Sequence, residues 1–320
     1  MSDEALEKFK KIQDNDDVVL LAHATERNGE YTTPYPIGFS VLDEAMKGGV
    51  RKGDMIVVTG LSGNGKSLFM QNISLNLMKS GHKCLWFQYE LLFDNLYAKW
   101  KEMGYEGEDL IIYTPRKMTT GNIEWIYRKI VEAKEKYGAE FVFIDHLDFL
   151  SPKTAKKSSD QHRLMVMDIC MEIKRMAIDL NVVVFLVSHV KKVQGRAIEM
   201  QDLAEASGTY KLADMVMVVE REMCKQMLGI REVEMFLGNS GFVRILKNRI
   251  TGINSFFSYD VKNGLFIPKE FLSEEEKKAR EEAERKEKEE DEVNVVSNTT
   301  AIAMVDDFNK RQDGFFGDKT

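Results

Sequence analysis

Gly60-Leu-Ser-Gly-Asn-Gly-Lys-Ser67 is the stretch from which the fold is read. It has the form Gly-x4-Gly-Lys-Ser. An apolar run, Met55-Ile-Val-Val-Thr59, precedes it, and a helix-forming run, Leu68 to Lys79, follows it. Glycines let a backbone wrap closely around an anion, and the N–H groups of the loop and of the next helix turn favour phosphate oxygens. The loop residues Gly60, Ser62, Gly63, Asn64, Gly65, Lys66, Ser67 and Leu68 are therefore expected to cradle a nucleotide. Lys66 would reach its terminal phosphates and Ser67 would ligate Mg2+.

Outward from this loop, apolar strands alternate with amphipathic helices. Strands are read at 55–59, 84–89, 110–113, 141–145, 182–188, 214–220, 242–247 and 255–259. Helices are read at 37–47, 66–80, 93–103, 120–137, 160–180 and 201–212. This alternation predicts an α/β fold, a P-loop NTPase with a mainly parallel twisted sheet flanked by helices. The last two strands have no helix between them and read as a C-terminal β-hairpin.

Three further strand ends carry polar groups. Phe141-Val-Phe-Ile-Asp145 is an apolar strand ending in a carboxylate, and Asp145 is the expected second contact to the metal. Glu90 follows Cys84–Tyr89, a strand expected beside the phosphate-loop strand, where a carboxylate would orient the attacking water. Ser188-His189 ends another apolar strand, and His189 is placed to sense the γ-phosphate. Later, Lys247 and Arg249 alternate at strand spacing and are expected on one side, where they would reach a phosphate bound by a neighbouring subunit. The plainer reading of that pair is a solvated strand face.

Bulk properties set limits. With 320 residues and 43% hydrophobic content, the chain can bury a sizeable core. The longest apolar runs are too short to span a bilayer, and residues 1–17 are acidic and polar rather than a leader. Cys84, Cys170 and Cys224 lie far apart without metal-ligand spacing, which suits a reducing cytoplasm. Of the net charge of −7, the segment from Ser273 onward carries −6 (9 Lys/Arg against 15 Asp/Glu), so the rest is near neutral. Net charge decides nothing about a nucleic-acid partner whose basic contacts line one channel. The expected organisation is an N-terminal helix and linker at 1–35, a motor domain at 36–270, and a charged tail at 271–320.

Taken together, the motifs resemble the RecA-like motor of hexameric replicative DNA helicases: the DnaB type, the bifunctional phage primase-helicases and the mitochondrial Twinkle helicase. The resemblance covers about residues 34–268. It rests on Gly38-Phe-Ser-Val-Leu-Asp43 with Gly53-Asp54, GLSGNGKS, Tyr89-Glu90, Ile144-Asp145-His146 and Ser188-His189. It continues through Gln201–Gly208 with Ala213-Asp214, Lys247-Asn-Arg249-x-Thr-Gly252, and the ending Asn263-Gly-Leu-Phe266. What this resemblance implies is a ring, expected to be a hexamer, that hydrolyses ATP or another NTP with Mg2+ between subunits. The ring would enclose single-stranded DNA and move 5′ to 3′ along it. Glu90 would be the catalytic carboxylate, Asp145 the metal-holding acid, and His189 the link to the DNA loops. Lys247 and Arg249 would act in trans.

There are departures. Ala204 stands where relatives carry Arg, so DNA contacts are assigned instead to Lys191, Lys192 and Arg196, and to a second basic loop with Lys153, Lys156 and Lys157. No primase or helical collar fits into the residues ahead of the motor; residues 4–27 read as a linker helix that docks on the next subunit. The tip, with Asp306-Asp-Phe308 and Asp313-Gly-Phe-Phe-Gly-Asp318, reads as a docking peptide for a primase, polymerase or loader. Two other readings stay open: a recombinase filament of the RecA or RadA type, and a KaiC-like regulatory ATPase ring.

Overall fold

The computed structural model describes residues 33–89, 93–107, 110–113, 123–147, 150, 159–190, 196–202, 207–228 and 231–269. Glu90, Lys153, Lys156, Lys157, Lys191, Lys192, the helix read at 4–27 and the tail from 270 lie outside these residues.

A short helix, α1 (Ser40–Ala45), opens the described chain. The alternation then runs β1 (Met55–Gly60), α2 (Lys66–Lys79), β2 (Cys84–Gln88), α3 (Phe93–Glu102), β3 (Leu110–Tyr113), α4 (Ile123–Tyr137), β4 (Phe141–Asp145), α5 (Ser159–Asp179) and β5 (Val183–His189). A six-residue helix α6 (Ser207–Leu212) leads into β6 (Met215–Leu228), β7 (Arg231–Asn248), β8 (Phe256–Lys262) and β9 (Leu265–Pro268). All nine strands form one sheet in the order β3-β2-β4-β5-β1-β6-β7-β8-β9. The pairings from β3 to β6 are parallel, and those from β6 to β9 antiparallel.

Strand alternation sorts side chains to two faces. Ile56, Val58, Cys84, Trp86, Phe141, Phe143, Phe185 and Val187 pack with Phe69, Met70 and Ile73 of α2. Val57, Leu85, Phe87, Val142, Ile144, Val184 and Leu186 pack with Ile126 and Ile130 of α4 and with Cys170 and Ile173 of α5. Because both faces are covered, these strands read as unbroken apolar runs, as parallel central strands do. On the α2 face Trp86, Phe143 and Phe185 sit in register on three adjacent strands, with ring centroids 4.9 and 4.8 Å apart and planes within 6°. Each such pair adds about 0.5–1.5 kcal/mol beyond its buried area.

The expected strand neighbours require a correction. β2 does not lie beside β1; β4 and β5 separate them. The 14-residue α2, about 21 Å long, bridges the three strand spacings of about 14 Å. Equally apolar strands carry no signal of their order, so periodicity could not have placed β2. The helix read at 201–212 is described only as 207–212. The strands read at 214–220 and 242–247 are the inner parts of a much longer hairpin, paired out to Leu228 and Arg231. β9 was not read at all. It forms because Asn263 and Gly264, with φ of 52° and 75°, make the tight turn that such a hairpin favours.

Candidate functional site

The phosphate loop closes the C-terminal end of β1. Gly60 has φ 148°, and a Cβ there would lie 2.3 Å from the Val219 carbonyl oxygen, so β6 excludes any side chain. Gly63 and Gly65 also have positive φ, at 80° and 88°, and Gly65 is the residue that turns the loop into α2. Asn64 Nδ2 donates to the same Val219 oxygen at 3.2 Å, which ties the loop to β6. Lys66 is buried, and its ammonium donates to the carbonyls of Gly60 (3.1 Å) and Leu61 (2.9 Å), inside the curve of the loop. Ser62 and Gly63 are exposed, while Ser67 and Leu68 are half-buried in the first turn of α2.

The helix carrying this loop is braced from the far end of the sheet. Asn72 of α2 donates to the Gly264 carbonyl and accepts from the Phe266 N–H, both at 2.9 Å. The Phe266 ring lies 5.3 Å from Phe69. The Asn-Gly turn and β9 thus hold the helix behind the phosphate loop.

On the α2 face, the strand ends line up along one edge. Asp145 ends β4 and is 1% exposed; Gln88 ends β2 in register with it and is fully buried. Neither Gln88 amide atom has a hydrogen-bond partner among the described residues. His189 ends β5 opposite Gly60, and its ring meets His146 edge-on at 4.5 Å. The edge therefore brings together Lys66, Ser67, Asp145 and His189 as expected, and adds Gln88, which the sequence reading passed over. Its signal was a polar side chain ending an otherwise apolar strand.

Lys247 and Arg249 lie elsewhere. In the register, one step on β6 (Val216 to Met217) matches two on β7 (Lys247 to Ile245), so Leu246 is a bulge. The bulge turns Lys247 to the face opposite α2. There its ammonium donates to the carbonyls of Tyr210 (2.9 Å), Lys211 (2.9 Å) and Ala213 (2.7 Å). Burial, and then the nearby Arg249 charge, lowers its pKa. Arg249 falls beyond the strand end, in a turn. Its guanidinium donates to Asp214 Oδ1 (3.1 Å) and to the Lys211 carbonyl (3.3 Å). The pair does converge on one place, but through a bulge and a turn rather than through strand alternation.

Asp214 is the hub of that place. It also accepts from the Met55 N–H (2.9 Å) and from Lys174 of α5, whose ammonium reaches the Gly53 carbonyl. Met55 begins β1 and Gly60 ends it, so Arg249 is anchored about 16 Å from its own chain's phosphate loop. Arg196 is exposed and makes a two-pronged pair with Asp202 (2.7 and 2.6 Å). That hydrogen bonding raises the Arg196 pKa and lowers that of Asp202.

The chain matches the family described as DnaB-like helicase C terminal domain over residues 95–256, just over half of its length. Among curated proteins it is similar to the DNA repair protein RadA of Aquifex aeolicus (strain VF5), at 26% identity over 155 residues, 48% of this chain and 32% of that protein. RadA of Campylobacter jejuni subsp. jejuni serotype O:2 is 22% identical over 244 residues, 76% of this chain and 50% of that protein. The chain thus spans a third to a half of the length of these relatives. Among solved structures, an isolated ATPase domain has a TM-score of 0.60 at 19% identity, covering 80% of this chain and all of that one. A DnaB-like replicative helicase studied with primase has a TM-score of 0.60 at 19% identity, covering 83% and 71%. At these identities the two structures show a shared fold.

Proposed function

This chain belongs to the DnaB-like helicase C terminal domain family, and we propose that it is an ATP-driven replicative DNA helicase motor that works as a ring. The observation that carries the reading is the separation of its two cation sets. Lys66 sits in the chain's own phosphate loop, whereas Arg249 is held at the other end of β1. A cation so placed serves hydrolysis only on a nucleotide bound by another subunit, which favours a closed ring with sites between protomers, expected to be a hexamer.

In this reading the loop N–H groups and the α2 N-terminus hold the phosphates, and Lys66 neutralises them. The tight cradle at Gly60 fits a polyphosphate. Ser67 and Asp145 would hold Mg2+, which would supply charge neutralisation for the phosphates. Among the described residues no cluster of three or more His, Cys, Asp or Glu could hold a metal alone, which suits a Mg2+ bound mainly through substrate phosphates. Glu90 would orient the attacking water from just beyond β2. His189 would report the γ-phosphate. Single-stranded DNA would run past the segments with Lys153, Lys156, Lys157, Lys191, Lys192 and Arg196, with 5′ to 3′ movement. The tip at 301–320 would dock a primase, polymerase or loader. Among the described residues no helix is long and apolar enough to cross a membrane, and we place the protein in the cytoplasm.

The two RadA relatives favour a second reading, a DNA-repair ATPase of the recombinase type. Strand separation on a forked duplex with a free 5′ tail decides between them. Unwinding by wild type and not by Lys66→Ala supports the helicase. Strand exchange without unwinding supports the recombinase, and hydrolysis indifferent to DNA would favour a regulatory ring.

A further inference from the structure

Tyr210 joins the two ends of this machinery. It lies in α6 and is 3% exposed. Its hydroxyl is 3.2 Å from Thr59 Oγ1 and 3.3 Å from Ser188 Oγ. Thr59 immediately precedes Gly60, and Ser188 immediately precedes His189. One phenol therefore touches, from the face opposite α2, both strands that end at the phosphate edge. At its other end the Tyr210 carbonyl accepts from Lys247 Nζ at 2.9 Å, and the next carbonyl, that of Lys211, accepts from both Lys247 and Arg249.

The chemistry of the phenol suits a relay. It has one O–H and is shared between two hydroxyls, each contact longer than the usual 2.7–2.8 Å or so for O–H···O bonds. A small shift of either strand end strengthens one contact at the expense of the other. Packing alone does not call for the hydroxyl, because phenylalanine has nearly the same shape and a buried hydroxyl is unfavourable unless bonded.

We infer that Tyr210 is a positioning residue that couples the state of a chain's own phosphate loop to the placement of Lys247 and Arg249, which that chain presents to its neighbour. The inference rests on the ring reading above. It is distinct from the sensing assigned to His189, which lies on the α2 face of the sheet.

The test is Tyr210→Phe in the full chain, assayed with ATP, Mg2+ and a single-stranded oligonucleotide. Hydrolysis without DNA is expected to stay within about twofold of wild type, as for loss of one weak hydrogen bond. The Hill coefficient for ATP should fall toward one, and DNA stimulation should drop about tenfold, a usual size for coupling between sites. Thr59→Val should reproduce the loss, the double variant should add nothing to it, and Thr59→Ser should behave as wild type. Retained cooperativity and stimulation in Tyr210→Phe would overturn the inference. So would a joint loss of basal rate, cooperativity and Tm, the signature of packing alone. If wild type itself shows neither cooperativity nor DNA stimulation, the ring reading fails and the inference goes with it.

Discussion

The two ends of β1 are built on opposite principles. At the C-terminal end, glycines and backbone N–H groups form the cradle, with one buried ammonium against loop carbonyls. At the N-terminal end, side chains from distant segments interlock: Asp214 holds Met55, Lys174 and Arg249 at once. The first end is mostly local chemistry, carried by eight consecutive residues and tied to β6 through Val219. The second is tertiary, assembled from segments 35 to 159 residues apart and dependent on the sheet having formed. In the proposed motor both would have a use, the preformed cradle for binding phosphate and the side-chain knot for linking elements that move relative to one another.

Substitutions should separate these two ends. The largest effect is expected from Lys66→Ala, which should cut hydrolysis by on the order of 10^3-fold while leaving Tm little changed, measured by phosphate release and calorimetry. Asp214→Ala should do the reverse. It leaves Lys174 half-buried without its carboxylate, and should destabilise by about 3 kcal/mol in denaturant unfolding while nucleotide binding persists in the folded fraction. If Asp214→Ala abolished nucleotide binding at full stability, the division would be wrong.

A smaller effect concerns pH. Burial pushes the Asp54 carboxyl up from the ordinary 3.8 to about 6. Its folded pKa is the higher one, so its stabilising contribution is complete below about pH 4 and is lost as pH rises through about 6. Asp54→Asn keeps an acceptor for the Arg51 N–H (2.7 Å) and removes the charge. It should match wild type near pH 4 and exceed it above pH 6, by on the order of 1 kcal/mol. An unchanged difference across that range in thermal unfolding would refute the assignment. The smallest effect is expected from Arg196→Ala. Its exposed pair with Asp202 should leave Tm unmoved, while a true phosphate contact would lower the salt slope of DNA binding by about one.

What was legible follows from the same contrast. The strands read at 84–89, 110–113 and 141–145 coincide with β2, β3 and β4 to within a residue, and Asp145 and His189 end their strands as expected, because period carries them. Strand order was not, since β1, β2, β4 and β5 are equally apolar. The outer part of the β6–β7 hairpin escaped because its alternation mixes polar and apolar residues without a break. β9 was missed although Asn263-Gly264 is a strong turn signal; only four residues follow it. Gln88 offers only one signal, a polar side chain ending an apolar strand, and Tyr210 offers none, because its partners Thr59 and Ser188 come from other strands.

The claim that Arg249 serves a neighbour's nucleotide is tested most directly by mixing two inactive variants, Lys66→Ala and Arg249→Ala, and measuring hydrolysis after confirmed co-assembly. The account predicts that activity returns, since random assortment in a ring gives roughly a quarter of interfaces an intact loop facing an intact arginine. Mixed rings as inactive as either parent would contradict it.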